Sequence, residues 1–198
     1  MMLQEAIMSR RSIRRYRPDP IPETVILTLL EAACWSPSAH NRQPWRFCVV
    51  RDAARKEMLA RAMGERLRRD LTADGVAEEV IAADVGRSYA RITGAPALIA
   101  LCLSMVDMDR YPDERRAALE YHMAAQSAAM AGQNLLLAAH QMGLGACWMC
   151  APLFCPDVVR AALDLPDDWQ PQALITLGYP AEVKEKSRRA LDEVTLWR

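Results

Sequence analysis

Apolar residues recur along this chain at two spacings, and the spacing predicts which segments coil and which run extended. Glu23–Trp35 carries Val25, Ile26, Leu29, Leu30 and Ala33 at helical intervals, with Pro22 at its entry. A shorter helix fits Leu3–Ser9 ahead of it. Asp52 is placed to cap a third helix through about Leu71, so heavily charged that part of it must meet water. A further helix fits Val76–Ile92. Asp113–Met142 predicts one long helix closed by Gly143. Its middle, Met123 to Ala139, is apolar and small nearly all round, interrupted by Gln126, Ser127, Gln133 and Asn134. Such a helix belongs at the centre of a subunit, and its small residues suit a close backbone contact, within the subunit or across a dimer. Pro156–Leu163 is a short helix opened by proline.

Between these helices, Ala97–Leu103 is an unbroken apolar run and reads as a buried strand. Phe47–Val50, Cys147–Met149 and Ala173–Leu177 are shorter strand candidates. Ser36 to Asn41 is a loop. The tail from Lys184 is polar and basic, then ends in Val194-Thr195-Leu196-Trp197, an apolar close that needs a place to dock. The pattern predicts an α+β chain, rich in helix, with a small mixed sheet, as a single domain over residues 1–198.

Composition narrows the classes. Lys and Arg total 25 against 25 Asp and Glu, so nothing overall invites a nucleic acid. Six cysteines (Cys34, Cys48, Cys102, Cys147, Cys150 and Cys155) are too sparse for a secreted disulfide framework. Met1 to Arg17 lacks the apolar core of a signal peptide, and no stretch approaches the ~20 apolar residues that span a bilayer. The expectation is a cytoplasmic protein with no membrane partner.

On a neutral chain the local charge clusters become informative. Five arginines fall within residues 10–17, and Lys184, Lys186, Arg188 and Arg189 lie near the other end. Two readings stand on charge alone: solvated faces, or a cradle for a small anion, since arginine grips phosphate oxygens through its planar fork. No hydrolase elbow, zinc-protease motif or phosphate loop is present. Gly143-Leu144-Gly145 lacks the third glycine of a dinucleotide fingerprint. Cys147-Trp148-Met149-Cys150 could be a redox dithiol or, with His140 and Cys155, a metal site; the burial preference of cysteine favours a structural role and no metal. Of the three histidines, His40 stands out because its loop is unusual. A chain without evident acid–base machinery, and so without a catalytic side chain of its own, is one whose chemistry a cofactor carries.

Four segments together resemble the nitroreductase family. Arg10-Arg11-Ser12-Ile13-Arg14-Arg15-Tyr16 is similar to its opening signature, and Ser36 through Phe47, with Asn41-Arg42-Gln43-Pro44-Trp45 inside it, to its second. Gly143-Leu144-Gly145-Ala146-Cys147-Trp148 resembles the third, and Gly178-Tyr179-Pro180 followed by Lys186-Ser187-Arg188 the fourth. The resemblance implies an α+β fold with a mixed sheet sandwiched by helices, in an intertwined homodimer with FMN at the subunit interface. It implies that Arg10, Ser12, Lys186 and Arg188 hold the FMN phosphate and ribityl chain. Arg14 would lie nearer the ring, where positive charge favours the anionic reduced flavin. Pro37, Ser38 and Asn41 would line the ring from the partner subunit, and backbone amides near Trp148 and Met149 would face its N5 edge. Arg11, Ala39, Gln43 and Cys147 complete the implied cofactor-binding set. The activity implied is ping-pong hydride transfer from NADH or NADPH to a small electrophilic acceptor, a nitroaromatic, quinone or activated alkene.

Tyr111-Pro112-Asp113 through Leu165-Pro166-Asp167-Asp168-Trp169 also resembles the FMN-binding C-terminal domain of the ligase of deazaflavin-cofactor biosynthesis. That likeness implies a deazaflavin-cofactor precursor as an alternative substrate. A flavin-binding or storage protein without turnover is the alternative from another class.

Overall fold

The computed structural model describes residues 2–198, so Met1, where the N-terminal reading begins, lies outside the described residues. The apolar run Ala97–Leu103 forms β2, buried at every position because it lies inside the sheet with helices over both faces. With β1 (Trp45–Val50), β3 (Gly145–Met149) and β4 (Gln170–Gly178) it makes a four-stranded sheet in the order β1-β2-β4-β3. Neighbouring strands pair antiparallel throughout. The sheet is therefore antiparallel where a mixed one was expected, and among the described residues parallel pairing is confined to an isolated bridge between Ser12 and Ala146, on the outer side of β3.

Alternation along the strands sorts the core into two layers. Ile99, Leu101 and Leu103 of β2 join Ala173, Ile175 and Leu177 of β4 on one face, under α2 (Glu23–Cys34) and α5 (Glu114–Gln141). Leu98, Ala100 and Cys102 face the other way with Leu174, under α3 (Ala53–Ala73), α4 (Glu78–Thr93) and α6 (Pro156–Leu163). Each fully buried Leu or Ile contributes ~1.5–3 kcal/mol, so β2 and β4 dominate the hydrophobic stabilisation. Asp52 caps α3 by accepting the Arg55 N–H at 2.7 Å, and Asp113 caps α5 by accepting the Arg116 N–H at 2.9 Å. Gly143, with φ of 77°, closes α5 in the left-handed region.

The long helix is not covered all round. Ala124, Ala128, Ala131, Leu135 and Ala139 pack into the core, while Leu119, Gln126, Ala129, Met130 and Gln133 are exposed. The apolar, small-residue composition therefore covers two surfaces, of which one chain buries only the first. Ahead of these elements lies α1 (Leu3–Ser9), and from residue 183 the tail has no regular structure and packs against nothing in the core. Among the described residues no helix is long and apolar enough to cross a membrane.

Candidate active site

The first, third and fourth signature segments meet at the outer side of β3. The Ile13 N–H donates to the Ala146 carbonyl (3.0 Å), the Arg17 N–H to that of Tyr179 (2.9 Å), and the Ala181 N–H to that of Arg15 (3.0 Å). Residues 12–17 thus form a strap laid across the ends of β3 and β4. The strap crosses over Gly145 and Gly178, which face each other in the β3–β4 ladder. A Cβ on Gly145 would stand 2.8 Å from Ile13 Cβ, and one on Gly178 would stand 2.8 Å from Tyr16 Cβ. The glycines of the third and fourth segments exist, in this fold, to let the first lie flat on the sheet.

The strap gathers more cations than anions: Glu182 accepts the Arg14 N–H at 2.8 Å and Asp19 pairs with Arg17, but the remaining arginine side chains have no carboxylate partner among the described residues. Burial lowers the Arg10 guanidinium from its ordinary value, and the positive charges of Arg188 and Arg11 act in the same direction, which places Arg188 within electrostatic reach of Arg10. Arg10, Arg11, Arg14, Arg15 and Arg188 make no ion pair among the described residues, whereas the arginines of α3 at 61, 66, 68 and 69 all do. Arg11 donates to the carbonyls of Met8 (2.6 Å) and Arg10 (2.9 Å), bracing the turn, and its Nε is buried without a partner. Lys186 lies exposed on the tail and makes no hydrogen bond or ion pair among the described residues. Ser9 Oγ lies 2.7 Å from His140 Nε2, tying the end of α1 to the end of α5. Burial, then the charges of Arg10 and Arg11, lower the His140 pKa, favouring the neutral imidazole beside this cluster.

Cys147 is buried in β3, and burial pushes its thiol pKa up against the opposing pull of Arg14 and Arg91. Its partner in the C-x-x-C pattern, Cys150, is exposed and accepts the Trp148 Nε1–H at 3.1 Å. All six cysteines are free. Arg91, in the last turn of α4, was not among the expected site residues; it lines a cleft of about 530 Å³ with Arg14, Arg15 and Tyr16. A lone arginine in an amphipathic helix carries no sequence mark of such a role, beyond the absence of an acid three or four residues away.

The second segment lies elsewhere. After α2, residues Ala39–Asn41 form a single 3-10 turn in which His40 and Asn41 have φ of 50° and 54°, and Gln43 follows at 50°. Ser38 Oγ accepts the Gln43 N–H (3.0 Å), and Gln43 Nε2 donates to the Asn41 carbonyl (3.4 Å). The Ala39 N–H donates to Ser127 Oγ on α5 at 3.2 Å. Pro37, Asn41 and Gln43 are exposed. Ser127 and His140 are 13 residues apart on one helix, hence about 20 Å. The structure therefore gathers Arg10, Arg11, Ser12, Arg14, Cys147 and Arg188 near one end of α5, and β3 runs on from there to Trp148, whose ring packs on Gly132, and Met149. The structure leaves Pro37, Ser38, Ala39, Asn41 and Gln43 near the middle of α5.

Residues 7–179 match the profile of the nitroreductase family. A Thermus thermophilus protein named NADH dehydrogenase is 38% identical, over 98% of this chain and 94% of its own length. A 5,6-dimethylbenzimidazole synthase of Rhodospirillum rubrum is 33% identical over 87% of this chain and 79% of its own. A crystal structure from Desulfovibrio desulfuricans, assigned as a nitroreductase in complex with FMN, superimposes with a TM-score of 0.78 at 30% identity. That match covers 100% of this chain and 97% of that one.

Proposed function

This chain belongs to the nitroreductase family and is an FMN-dependent NAD(P)H oxidoreductase; we propose that it works as a homodimer with FMN at the subunit interface. The reaction is hydride transfer from NADH or NADPH to an electrophilic acceptor, a nitroaromatic, quinone or activated alkene, in two half-reactions at one site. The observation that carries this reading is the cluster of Arg10, Arg11 and Arg188, which repel one another and have no carboxylate among them. Like charges held together in a partly buried place suit a doubly charged phosphate, and the partnerless Arg11 Nε fits the same deficit of acceptors.

Bound there, FMN supplies the two-electron relay between nucleotide and acceptor. Arg10, Ser12 and Arg188, with Lys186 from the tail, hold its phosphate and ribityl chain. Arg14 and Arg91 set positive charge beside the ring, where negative charge accumulates on reduction. Beyond Ala146 the outer side of β3 has no neighbouring strand among the described residues, so the backbone amide of Trp148, on the same side as the Ala146 carbonyl, and the turn after Met149 are available to the ring's reacting edge. Pro37, Ser38 and Asn41 of the partner subunit cover the ring. The ~20 Å between that loop and the strap supports a second copy as its source, since a two-fold axis across α5 brings one copy's loop to the other's strap.

The test is anaerobic. The purified protein is expected to be yellow or to take up FMN, and the colour to bleach on adding NADH or NADPH, then return with an acceptor. A flavin that neither nucleotide reduces would instead make this a binding protein. Arg188→Ala should lose charge-assisted contacts of about 1.5–3 kcal/mol each, a loss of tenfold or more in FMN affinity. An unchanged affinity refutes the assignment of Arg188.

A further inference from the structure

We infer that Glu120 is the recognition point for the molecule that exchanges hydride at this site, and that it selects a flat ring bearing an N–H donor. The inference rests on the interface reading above. Glu120, in the second turn of α5, is 1% exposed. Its Oε1 accepts the Asp109 N–H at 3.2 Å, while Oε2 is buried with no hydrogen-bond partner. An acceptor stripped of water and given no donor is an expensive thing to keep inside a fold. The same side chain lines a cleft of about 450 Å³ together with Tyr111, Leu119, His122, Met123 and Gln126.

Two of the nearby cations are engaged elsewhere. Arg116, also in the cleft wall, is held by Asp113 and lies 5.0 Å from the centroid of the Tyr111 ring. Arg42 is paired with Asp109. The cleft thus has Tyr111, Leu119 and Met123 beside the polar side chains of Arg116, His122 and Gln126, with Glu120 in its wall, and it is roomy enough for a ring system. Its place on α5 gives it a function. Gln126 adjoins Ser127, which holds the Ala39 amide of the loop that covers the partner's flavin. Glu120 is two helical turns further on, ~10 Å along the axis.

A ligand offering carbonyl or nitro oxygens would bring more acceptors to Oε2; an N–H completes it. Two sources carry that chemistry: the carboxamide of the reductant's nicotinamide, or an amino or amide group on the acceptor. Benzamide and acetophenone, alike in size and shape, differ in the –NH2 that one has and a methyl group replaces. Their dissociation constants for the FMN-loaded protein can be read from the flavin absorption band. Wild type is expected to prefer benzamide about tenfold, the usual worth of one hydrogen bond to a charged group. Glu120→Gln keeps an acceptor for Asp109 and places an –NH2 at the Oε2 position, so the preference should vanish or invert. Equal affinities in wild type overturn the inference without any variant.

The source follows from separating the half-reactions. If wild type reduces faster with NADH than with its reduced 3-acetylpyridine analogue and Glu120→Gln does not, the nicotinamide is the ligand. If that contrast instead lies in reoxidation by amino-bearing against plain acceptors, the acceptor is the ligand. A reducible bound flavin with no donor preference in binding or in either half-reaction sinks this inference alone. A protein that takes up no FMN sinks the interface reading beneath it.

Discussion

Tyr16 shows how one side chain in the strap is fixed. Its hydroxyl donates to the Ile13 carbonyl and lies 2.7 Å from Thr176 Oγ1, pinning the first signature segment to β4. Burial raises the phenol pKa far above its ordinary 10.0, against the opposing hydrogen bond from Thr176, so the fold holds the neutral form. The sign follows from linkage. A group whose folded pKa is raised contributes stability that is intact below the unfolded value and is lost as pH climbs past it. Wild type should therefore lose thermal stability more steeply above pH 10 than Tyr16→Phe does. At neutral pH the variant should be less stable by about 1–3 kcal/mol, having left Thr176 without its partner. Parallel pH profiles for the two proteins would remove Tyr16 from this role.

At the scale of elements, the facing glycines carry the design. Gly145→Ala places a methyl group against Ile13, and the cost of such overpacking is typically 1–3 kcal/mol. Near Ile13 the strap is held by the single Ile13–Ala146 backbone bond, so its leading part should lift before the sheet yields. The expected signature is weakened FMN binding with a largely preserved circular dichroism spectrum; full FMN affinity in Gly145→Ala would show that the strap tolerates displacement. Much of this level was legible beforehand. β2 and α6 occupy the residues that their apolar patterns indicate, because a continuous run and a proline-opened amphipathic turn have few alternatives. The Asp52 cap was legible from its residue type ahead of a helical segment, whereas Asp113, read as the first residue of the long helix, is instead its cap. The strand boundaries were less so: β4 begins at Gln170 and β1 at Trp45, where pairing with β2 extends strands beyond their hydrophobic centres. The loop at 38–43 was visible only as a break. Nothing in the residue types alone announces left-handed backbone at His40, Asn41 and Gln43, because tertiary contacts such as Ala39 with Ser127 impose it. Arg91 escaped for a related reason, since its role depends on how α4 lies against the strap.

At the scale of the molecule, a single copy leaves several large apolar side chains open to water. Trp35 is 82% and Trp197 88% exposed, and Leu3, Ile7 and Met8 of α1, Leu27 of α2 and Leu119 of α5 also face outward. Met130, 40% exposed on the open side of α5, tests the homodimer directly. Met130→Arg should sediment near the 22.2 kDa of one chain, lose most of its FMN and keep its helical spectrum. A dimeric, fully flavinated Met130→Arg protein would place the interface elsewhere.

The tail from residue 183 makes no contribution to the core of its own subunit, yet it carries Lys186 and Arg188 as well as Leu196 and Trp197. Substitutions there should leave the folding equilibrium nearly untouched. The binding strength that Lys186 and Arg188 would contribute can consequently be altered apart from the thermal robustness of the body that bears the arm.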